Sequence, residues 1–243
     1  MTPLRLLLIA FCGALLTACA TVGPPTTRAP GSIEKRLSLR VTPATAPASG
    51  DSFVVLYSGD GGWSGGTQDI SDDLAAAGVP TVGFDSLHYF WKTRTPAQAA
   101  AELAELVDHY GALWGKSHVV LSGYSFGASA LPLIARELPA EIRAKVRALI
   151  MIAPRDYVEM VVRPNSWFDI KGPHTEPLEP VLASTTWPKV ICIYGVKDRI
   201  AACPKLTLPG VEIDSLPVGH RFGAQHGRIA EIIEGATAPR ADK

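Results

Sequence analysis

The sequence predicts an α/β fold in which a mostly parallel sheet carries helices on both faces. Apolar runs of strand length alternate with helix-forming segments over most of the chain. The run at 53–57 is continuously apolar, and the segments 118–121 and 190–194 are also largely apolar, which is typical of strands covered on both sides. Repeated strand–helix units of this kind produce parallel strands joined by crossover helices.

The predicted elements follow one another closely after residue 50. Thr95-Pro96 is a typical helix start, because Thr caps a helix and Pro fits its first position. The alternation of Leu37, Leu39 and Val41 with polar residues predicts one further, half-buried strand. Strands are expected at 53–57, 79–84, 118–121, 146–153, 190–194 and 211–216, and helices at 69–77, 95–113, 126–138 and 225–233.

The segment 156–187 interrupts this alternation. It contains four prolines and few good helix formers. It is expected to form a lid or insertion at the carboxyl edge of the sheet, where ligands bind in open α/β sheets. The alternative is a surface loop with an irregular edge strand at 157–162.

Composition excludes one large class of function. The 243 residues suffice for one domain with a sizeable core. The 23 basic residues balance the 23 acidic ones, and no basic run is present, so nucleic-acid binding is not expected. The sequence implies no metal and no cofactor.

The N-terminal residues predict export. Residues 1–18 read as a signal peptide, with Arg5 before an apolar run at 6–16 that is too short for a permanent membrane span. The remainder divides into a Pro- and Thr-rich tether at 19–32 and a single domain at 33–243.

The end of this segment resembles a bacterial lipobox. Leu16-Thr17-Ala18 precedes Cys19, so Cys19 is expected to become a diacylated N-terminus that anchors the protein to a membrane. Ala20 follows instead of the Asp that often retains such lipoproteins in the inner membrane. This predicts a periplasmic protein anchored to the outer membrane; the alternative is a plain secretory signal.

Two cysteines remain in the expected domain. Cys192 and Cys203 form an even pair in an oxidising compartment. A disulfide between them would close a short loop around Asp198; the alternative is two buried free thiols. Neither has a close Cys or His at zinc-ligand spacing.

The motif Gly123-Tyr124-Ser125-Phe126-Gly127 carries the strongest functional signal. It follows an apolar strand and opens a helix, the context of a nucleophile elbow. We therefore predict the α/β-hydrolase fold with Ser125 as the nucleophile. The alternative is a glycine-rich turn with an inert serine.

A serine nucleophile needs a base and an acid that orients the base. In this fold the order along the chain is serine, acid, histidine. Asp198 follows the strand at 190–194, and His220 follows the last strand. Asp156, after the strand that follows the elbow, is the main alternative acid. His226, at the start of the last helix, is expected to point elsewhere.

An oxyanion hole needs two backbone N–H groups. Phe126 is expected to supply one, and the glycine-rich loop 58–63 the other, with Asp60 as first choice and Gly61 next. The predicted substrate contacts are Asp60, Asp85 and Trp63. Asp60 or Asp85 is suggested to bind an amine; the alternative is that both acids cap loops or a helix N-terminus.

At these residues the chain resembles the bacterial VirJ/AcvB virulence-protein family. The resemblance rests on Ser58-Gly59-Asp60-Gly61-Gly62-Trp63, on the elbow through Ala128, and on Gly219-His220-Arg221-Phe222. It implies a periplasmic hydrolase like the AcvB-type members that cleave lysyl-phosphatidylglycerol, an aminoacylated phospholipid. It also implies partners among secretion-system components, because VirJ-type members are associated with type IV secretion.

Two other functions stay open at this point. One is a non-enzymatic envelope or secretion adaptor that retains the fold. The other is a general esterase acting on soluble substrates.

Overall fold

The computed structural model describes residues 31–164, 171–185 and 187–238. The predicted signal peptide, the lipidation site Cys19 and nearly all of the predicted tether lie outside the described residues. Among the described residues, no helix is long and apolar enough to cross a membrane.

A seven-stranded sheet with one antiparallel edge organises the molecule. The strands are β1 Leu39–Thr42, β2 Ser52–Tyr57, β3 Thr81–Phe84, β4 His118–Tyr124, β5 Val146–Ile152, β6 Tyr157–Val158, β7 Glu176–Pro177, β8 Lys189–Gly195 and β9 Val211–Leu216. The main sheet has the order β1-β3-β2-β4-β5-β8-β9, and β6 forms a separate two-stranded sheet with β7. β1 is antiparallel to β3, and the other pairings in the main sheet are parallel.

Helices cover both faces of this sheet. They are α1 Gly31–Leu37, α2 Gly65–Ala76, α3 Ser86–Tyr89, α4 Pro96–Trp114, α5 Phe126–Arg136, α6 Ala140–Arg143, α7 Leu178–Ala183 and α8 His226–Thr237. Apolar side chains of α1, α4 and α5 share one core cluster, and those of α2 and α8 share the other. The predicted fold class is confirmed.

β2 shows how the sequence builds the two cores. Its residues are all buried, and their side chains alternate between the faces. Phe53, Val55 and Tyr57 belong to the cluster of α4 and α5, whereas Val54 and Leu56 belong to the cluster of α2 and α8. A continuously apolar strand is therefore required, as predicted.

Two sequence predictions need correction. Leu37 ends helix α1 instead of beginning a strand, and Ser38 turns the chain with a φ of 54° before β1 begins. The apolar alternation across 37–41 therefore joins two different elements. The edge strand at 157–162, the alternative to a lid or insertion, is present only as β6, and a helix, α7, follows in the proline-containing segment.

The parallel strands bring the predicted site together. The carboxyl ends of β2, β4, β8 and β9 lie at one edge of the sheet, because these strands run in the same direction. The loop after each end therefore contributes to one region, the usual ligand position in open α/β sheets.

Cys192 and Cys203 are joined by a disulfide, with their Cα atoms 5.6 Å apart. Cys192 lies within β8 and Cys203 begins a short 3₁₀ turn, and both are fully buried. The bond thus closes the loop that carries Asp198.

Removing this bond should destabilise the domain. For the double variant Cys192→Ala/Cys203→Ala we expect a loss of about 2–4 kcal/mol in the free energy of unfolding, because the unfolded chain regains the loop's freedom. Urea unfolding followed by circular dichroism measures this. Reductant should shift the wild-type midpoint in the same direction, and an unchanged midpoint in the double variant would contradict the expectation.

Candidate active site

Ser125 occupies a strained backbone turn between β4 and α5. Its φ is 53° and its ψ is −112°, a conformation that a non-glycine residue keeps only when the surroundings enforce it. The N–H of Ser125 donates a hydrogen bond of 2.8 Å to the carbonyl of Ile152 at the end of β5. The elbow is thereby tied to the neighbouring strand, with the serine at the sheet edge.

Close backbone contact explains both glycines of the motif. A Cβ atom on Gly123 would lie 2.6 Å from the Ala128 nitrogen. On Gly127 it would lie 2.5 Å from the Ser58 carbonyl oxygen. Neither position has room for a side chain, so the motif meets the steric demands of a nucleophile elbow.

Three predicted residues form a continuous hydrogen-bonded chain. His220 Nε2 lies 2.9 Å from Ser125 Oγ, and His220 Nδ1 lies 2.6 Å from Asp198 Oδ2. The Asp198 side chain is only 2% exposed. With the ring proton on Nδ1, directed to the carboxylate, Nε2 is free to accept the serine proton.

The Asp198 carboxylate is oriented by its own loop. Its Oδ1 atom accepts the N–H of Ile200 at 3.1 Å, which leaves Oδ2 for the imidazole. The loop also packs directly on the histidine loop, since a Cβ on Gly195 would lie 2.4 Å from the Val218 carbonyl oxygen. The acid and the imidazole are therefore held in register by backbone contact.

The alternative acid, Asp156, lies elsewhere. Its side chain is half exposed and its carboxylate is 3.3 Å from Lys171 Nζ. A solvated ion pair of this kind does not orient the imidazole. The carboxylate that contacts His220 is Asp198.

Tyr124 is hydrogen-bonded to the loop that carries His220. Its hydroxyl donates a hydrogen bond of 2.9 Å to the His220 carbonyl, and the two rings lie 5.6 Å apart. Burial raises the pKa of Tyr124 to about 12, with Asp198 adding to the rise and Arg221 opposing it. The phenol therefore remains a protonated donor throughout the physiological range.

Tyr124→Phe should weaken this support while leaving the triad side chains in place. We expect kcat to fall roughly 3- to 10-fold, since one buried hydrogen bond contributes about 1 kcal/mol. KM should change little, because the lost bond lies behind the imidazole. Steady-state kinetics with a short acyl ester measure both constants; an unchanged kcat would show that the loop keeps its position without the phenol.

The predicted oxyanion loop lies against the nucleophile. A Cβ on Gly59 would lie 3.5 Å from the Ser125 Cβ. The Gly62 N–H donates to the Gly59 carbonyl at 3.0 Å, which folds Asp60 and Gly61 into a tight turn. Phe126, on the other side, begins α5, and the helix offers no acceptor for its N–H. Their role as oxyanion donors stays a prediction.

Asp85 is not placed to contact a substrate. Its side chain is buried and caps α3 by accepting the His88 N–H at 3.4 Å. Its Oδ2 atom lies 2.9 Å from His88 Nδ1 and 3.7 Å from Arg40 Nη2. The predicted amine-binding role of Asp85 is therefore corrected to a structural one, the capping alternative.

Trp63 packs against the sheet. Its ring lies on β3 so closely that a Cβ on Gly83 would come within 2.0 Å of it. Its Nε1–H donates to the Gln68 side chain at 2.8 Å. The tryptophan thus fixes the end of the glycine-rich loop against the sheet, and its contact with a substrate stays a prediction.

A cavity of about 630 Å³ opens over Ser125 and His220. This volume lies within the usual range for small-molecule sites. His226, expected to point elsewhere, lines the cavity as well, because its ring packs over Gly66 at the start of α2. The other lining residues are Gly59, Asp60, Gly61, Gly62, Ser64, Gly65, Thr67, Ile70, Tyr124, Arg155, Arg221, Phe222 and Ile229.

A second, much smaller space adjoins the first at Asp60 and Arg155. Its volume of about 10 Å³ has room for one water-sized group. Glu159, only 6% exposed, lines it, and the Glu159 Oε2 atom has no hydrogen-bond partner among the described residues. Phe126, Ser129 and Tyr157 complete the lining.

Sequence reasoning missed Glu159 as a candidate. The available signal was a lone carboxylate inside the apolar run 157–162, since buried acids are rare without a role. Within the described ranges, no group of three or more His, Cys, Asp and Glu is arranged to hold a metal ion.

Comparison with known proteins identifies the family and the fold. The profile of the family described as "Bacterial virulence protein (VirJ)" matches residues 51–240. A comparison with curated proteins finds no match.

Many solved structures are similar. Est1E from Butyrivibrio proteoclasticus shares 15% identity over 81% of this chain and 90% of its own, with a TM-score of 0.54. The esterase domain of a Rhodothermus marinus protein shares 12% identity over 81% of this chain and 89% of its own, with a TM-score of 0.55. Naproxen esterase from Bacillus subtilis shares 11% identity over 81% of this chain and 85% of its own, with a TM-score of 0.54. Likeness at this identity establishes the α/β-hydrolase fold.

Proposed function

The chain belongs to the VirJ family of bacterial virulence proteins, and from this membership and the site geometry we propose that it is a serine hydrolase of carboxylic esters. The observation that carries the proposal is the hydrogen-bonded chain from Asp198 through His220 to Ser125 at the floor of an open cavity. A buried acid, an imidazole and a serine on a strained elbow are the parts that acyl transfer requires.

The proposed reaction has two steps. His220 Nε2 takes the Ser125 proton as Oγ attacks the ester carbonyl carbon, and the N–H of Phe126 and one N–H of the Asp60–Gly61 turn stabilise the oxyanion. The C–O bond of the ester then breaks, and the leaving alcohol takes the proton from His220. Water, activated by the same imidazole, attacks the acyl-enzyme and releases the acid.

For the substrate we propose the aminoacyl ester of lysyl-phosphatidylglycerol. Asp60 and Glu159 both line the water-sized space beside Phe126, and an ammonium group has this size. Arg155 also lines this space. The side chains of Arg163 and Glu159 both approach Gly172, where a Cβ atom would lie 2.3 Å from Arg163 Nη1 and 2.9 Å from Glu159 Oε2. The Glu159 Oε2 atom, which has no hydrogen-bond partner among the described residues, would then accept a hydrogen bond from the amine of the acyl half.

A membrane substrate is compatible with the proposed location. A lipid on Cys19 would anchor the protein at the periplasmic face of the outer membrane, followed by the tether at 19–32. The enzyme would then meet its ester at a membrane surface. The anchor is testable by metabolic labelling with a fatty acid, in the wild type and in Cys19→Ala.

Thin-layer chromatography of a lipid digest tests the substrate. The full chain, incubated with lysyl-phosphatidylglycerol in detergent micelles, should release lysine and phosphatidylglycerol, and Ser125→Ala should release neither. Glu159→Gln should lower kcat/KM for the lysyl ester more than for a short, uncharged acyl ester. Hydrolysis of the uncharged ester alone would contradict the lipid substrate and support a general esterase.

A further inference from the structure

The catalytic cavity has an uneven charge distribution. The side chains of Arg155, Arg221 and His226 line it as cationic or protonatable groups, and among the described residues of the lining Asp60 is the only carboxylate. The acid lies on the side of the elbow near Phe126, whereas Arg221 and His226 lie on the loop and helix that follow β9. The wall on the histidine side is therefore formed by Arg221 and the ionisable His226, with no carboxylate among its described lining residues.

Arg221 is the residue of this wall that most directly indicates the charge of a ligand. Its side chain has no hydrogen-bond or ion-pair partner among the residues that the structure describes. Arg221 is exposed, but its backbone lies between two well-held neighbours: the imidazole of His220 is hydrogen-bonded within the triad, and Phe222 is buried with a φ of 54°. A guanidinium held at a cavity wall without a protein partner is available to an anionic ligand.

His226 and the first turn of α2 extend the same wall. The His226 Nδ1 atom lies 3.3 Å from Asp69 Oδ2, and its Nε2 atom faces Gly66, where a Cβ would come within 2.7 Å. Gly65 and Gly66 open α2 and also line the cavity. The backbone N–H groups of a first helical turn add positive potential to a site that already contains cationic side chains.

The chemistry of the triad decides which part of the substrate meets this wall. The leaving oxygen must receive its proton from His220 Nε2, so the alcohol half lies on the histidine side. We propose that Arg221, with His226, binds an anionic group on the alcohol half, of the phosphate-ester class. The assignment to the alcohol half rests on the proposed esterase function; the anion site itself does not.

Binding of phosphate compounds tests the site directly. Titration calorimetry of the full chain at low ionic strength uses inorganic phosphate, glycerol 3-phosphate, short-chain phosphatidylglycerol and, as a neutral probe, glycerol. We expect the phosphate compounds to bind and glycerol not to bind. Arg221→Gln should weaken phosphate-ester binding about tenfold, the effect of losing one charge-assisted hydrogen bond in a partly exposed site.

Arg199→Gln is the matched control. Arg199 is exposed in the neighbouring acid loop and does not line the cavity, so its loss removes the same charge without removing the proposed contact. If phosphate affinity falls equally in both variants, the binding is general charge attraction and the proposed site is overturned. Equal affinity of wild type and Arg221→Gln would overturn it as well. If short-chain phosphatidylglycerol binds more tightly than inorganic phosphate, the natural ligand is a lipid headgroup. If inorganic phosphate binds more tightly, the natural ligand is a free phosphate.

Hydrolysis separates this inference from the proposed function. The wild type should cleave an acyl ester of glycerol 3-phosphate with a kcat/KM about tenfold above that of the same ester of glycerol, and Arg221→Gln should remove the preference. Phosphate binding that depends on Arg221 without any hydrolysis would leave the anion site standing and overturn the esterase proposal. Hydrolysis without preference would overturn the assignment of the bound anion to the alcohol half and leave the esterase standing.

Discussion

Ser125→Ala should abolish ester hydrolysis while the protein stays folded. Removing the attacking oxygen eliminates the acyl-enzyme route, and we expect kcat to fall by about 10⁵- to 10⁶-fold, as when the nucleophile of a catalytic triad is lost. The substitution removes a single oxygen at a position where the backbone is held by the Ile152 carbonyl. The melting temperature should therefore change by only a few degrees.

A fluorophosphonate probe gives a second readout that needs no knowledge of the substrate. Wild-type protein should be labelled at Ser125, and the alanine variant should not. Ser184→Ala is a suitable control, because Ser184 is an exposed serine at the end of α7 and should not affect labelling. Wild-type turnover or labelling in Ser125→Ala would show that another residue is the nucleophile.

The sharp turn that carries Ser125 was predictable because its requirements are local. Gly123 and Gly127 stand where a Cβ atom would come within 2.6 Å of neighbouring backbone atoms, and such steric demands are written into the sequence as glycine. The apolar strand before the motif and the helix after it are equally local patterns. A short stretch of sequence therefore specifies the whole elbow.

The acid could not be assigned from sequence with the same certainty. Asp156 and Asp198 both follow a parallel strand, and chain order alone permits either. What separates them is the packing of the Gly195 turn against Val218, which brings Asp198 to the histidine loop. That contact joins two segments whose pairing depends on the strand order β5-β8-β9, a tertiary property.

The cavity walls were the least predictable part. Asp85 follows a strand at the correct edge, but its side chain turns to cap α3. Glu159 and His226 come from segments that the motifs do not include, and they reach the site only because β6 and α8 pack beside the elbow. Side-chain direction in such loops is set by neighbouring elements, so residue type and spacing do not determine it.

Asp198→Asn should cost nearly as much activity as losing the nucleophile, for a reason that lies in the hydrogen bonds of its loop. The Ile200 N–H needs an acceptor, so the asparagine would turn its amide oxygen toward Ile200 and its NH₂ group toward His220 Nδ1. Nδ1 would then have to accept, and the ring proton would move to Nε2, facing Ser125. An imidazole in that tautomer cannot take the serine proton, and we expect kcat to fall by about 10⁴-fold.

Asp156→Asn is the matched control for this variant, because it makes the same chemical change at the other acid of the sheet edge. Asp156 pairs with Lys171 at the surface, where an exposed ion pair contributes little, so kcat should stay within about twofold of wild type. Rates measured with one short acyl ester across wild type and both variants decide the assignment. If Asp156→Asn were the inactive protein and Asp198→Asn the active one, the acid would have to reach His220 through a rearrangement of the segment 156–187, and the hydrogen bond from Asp198 would be structural only.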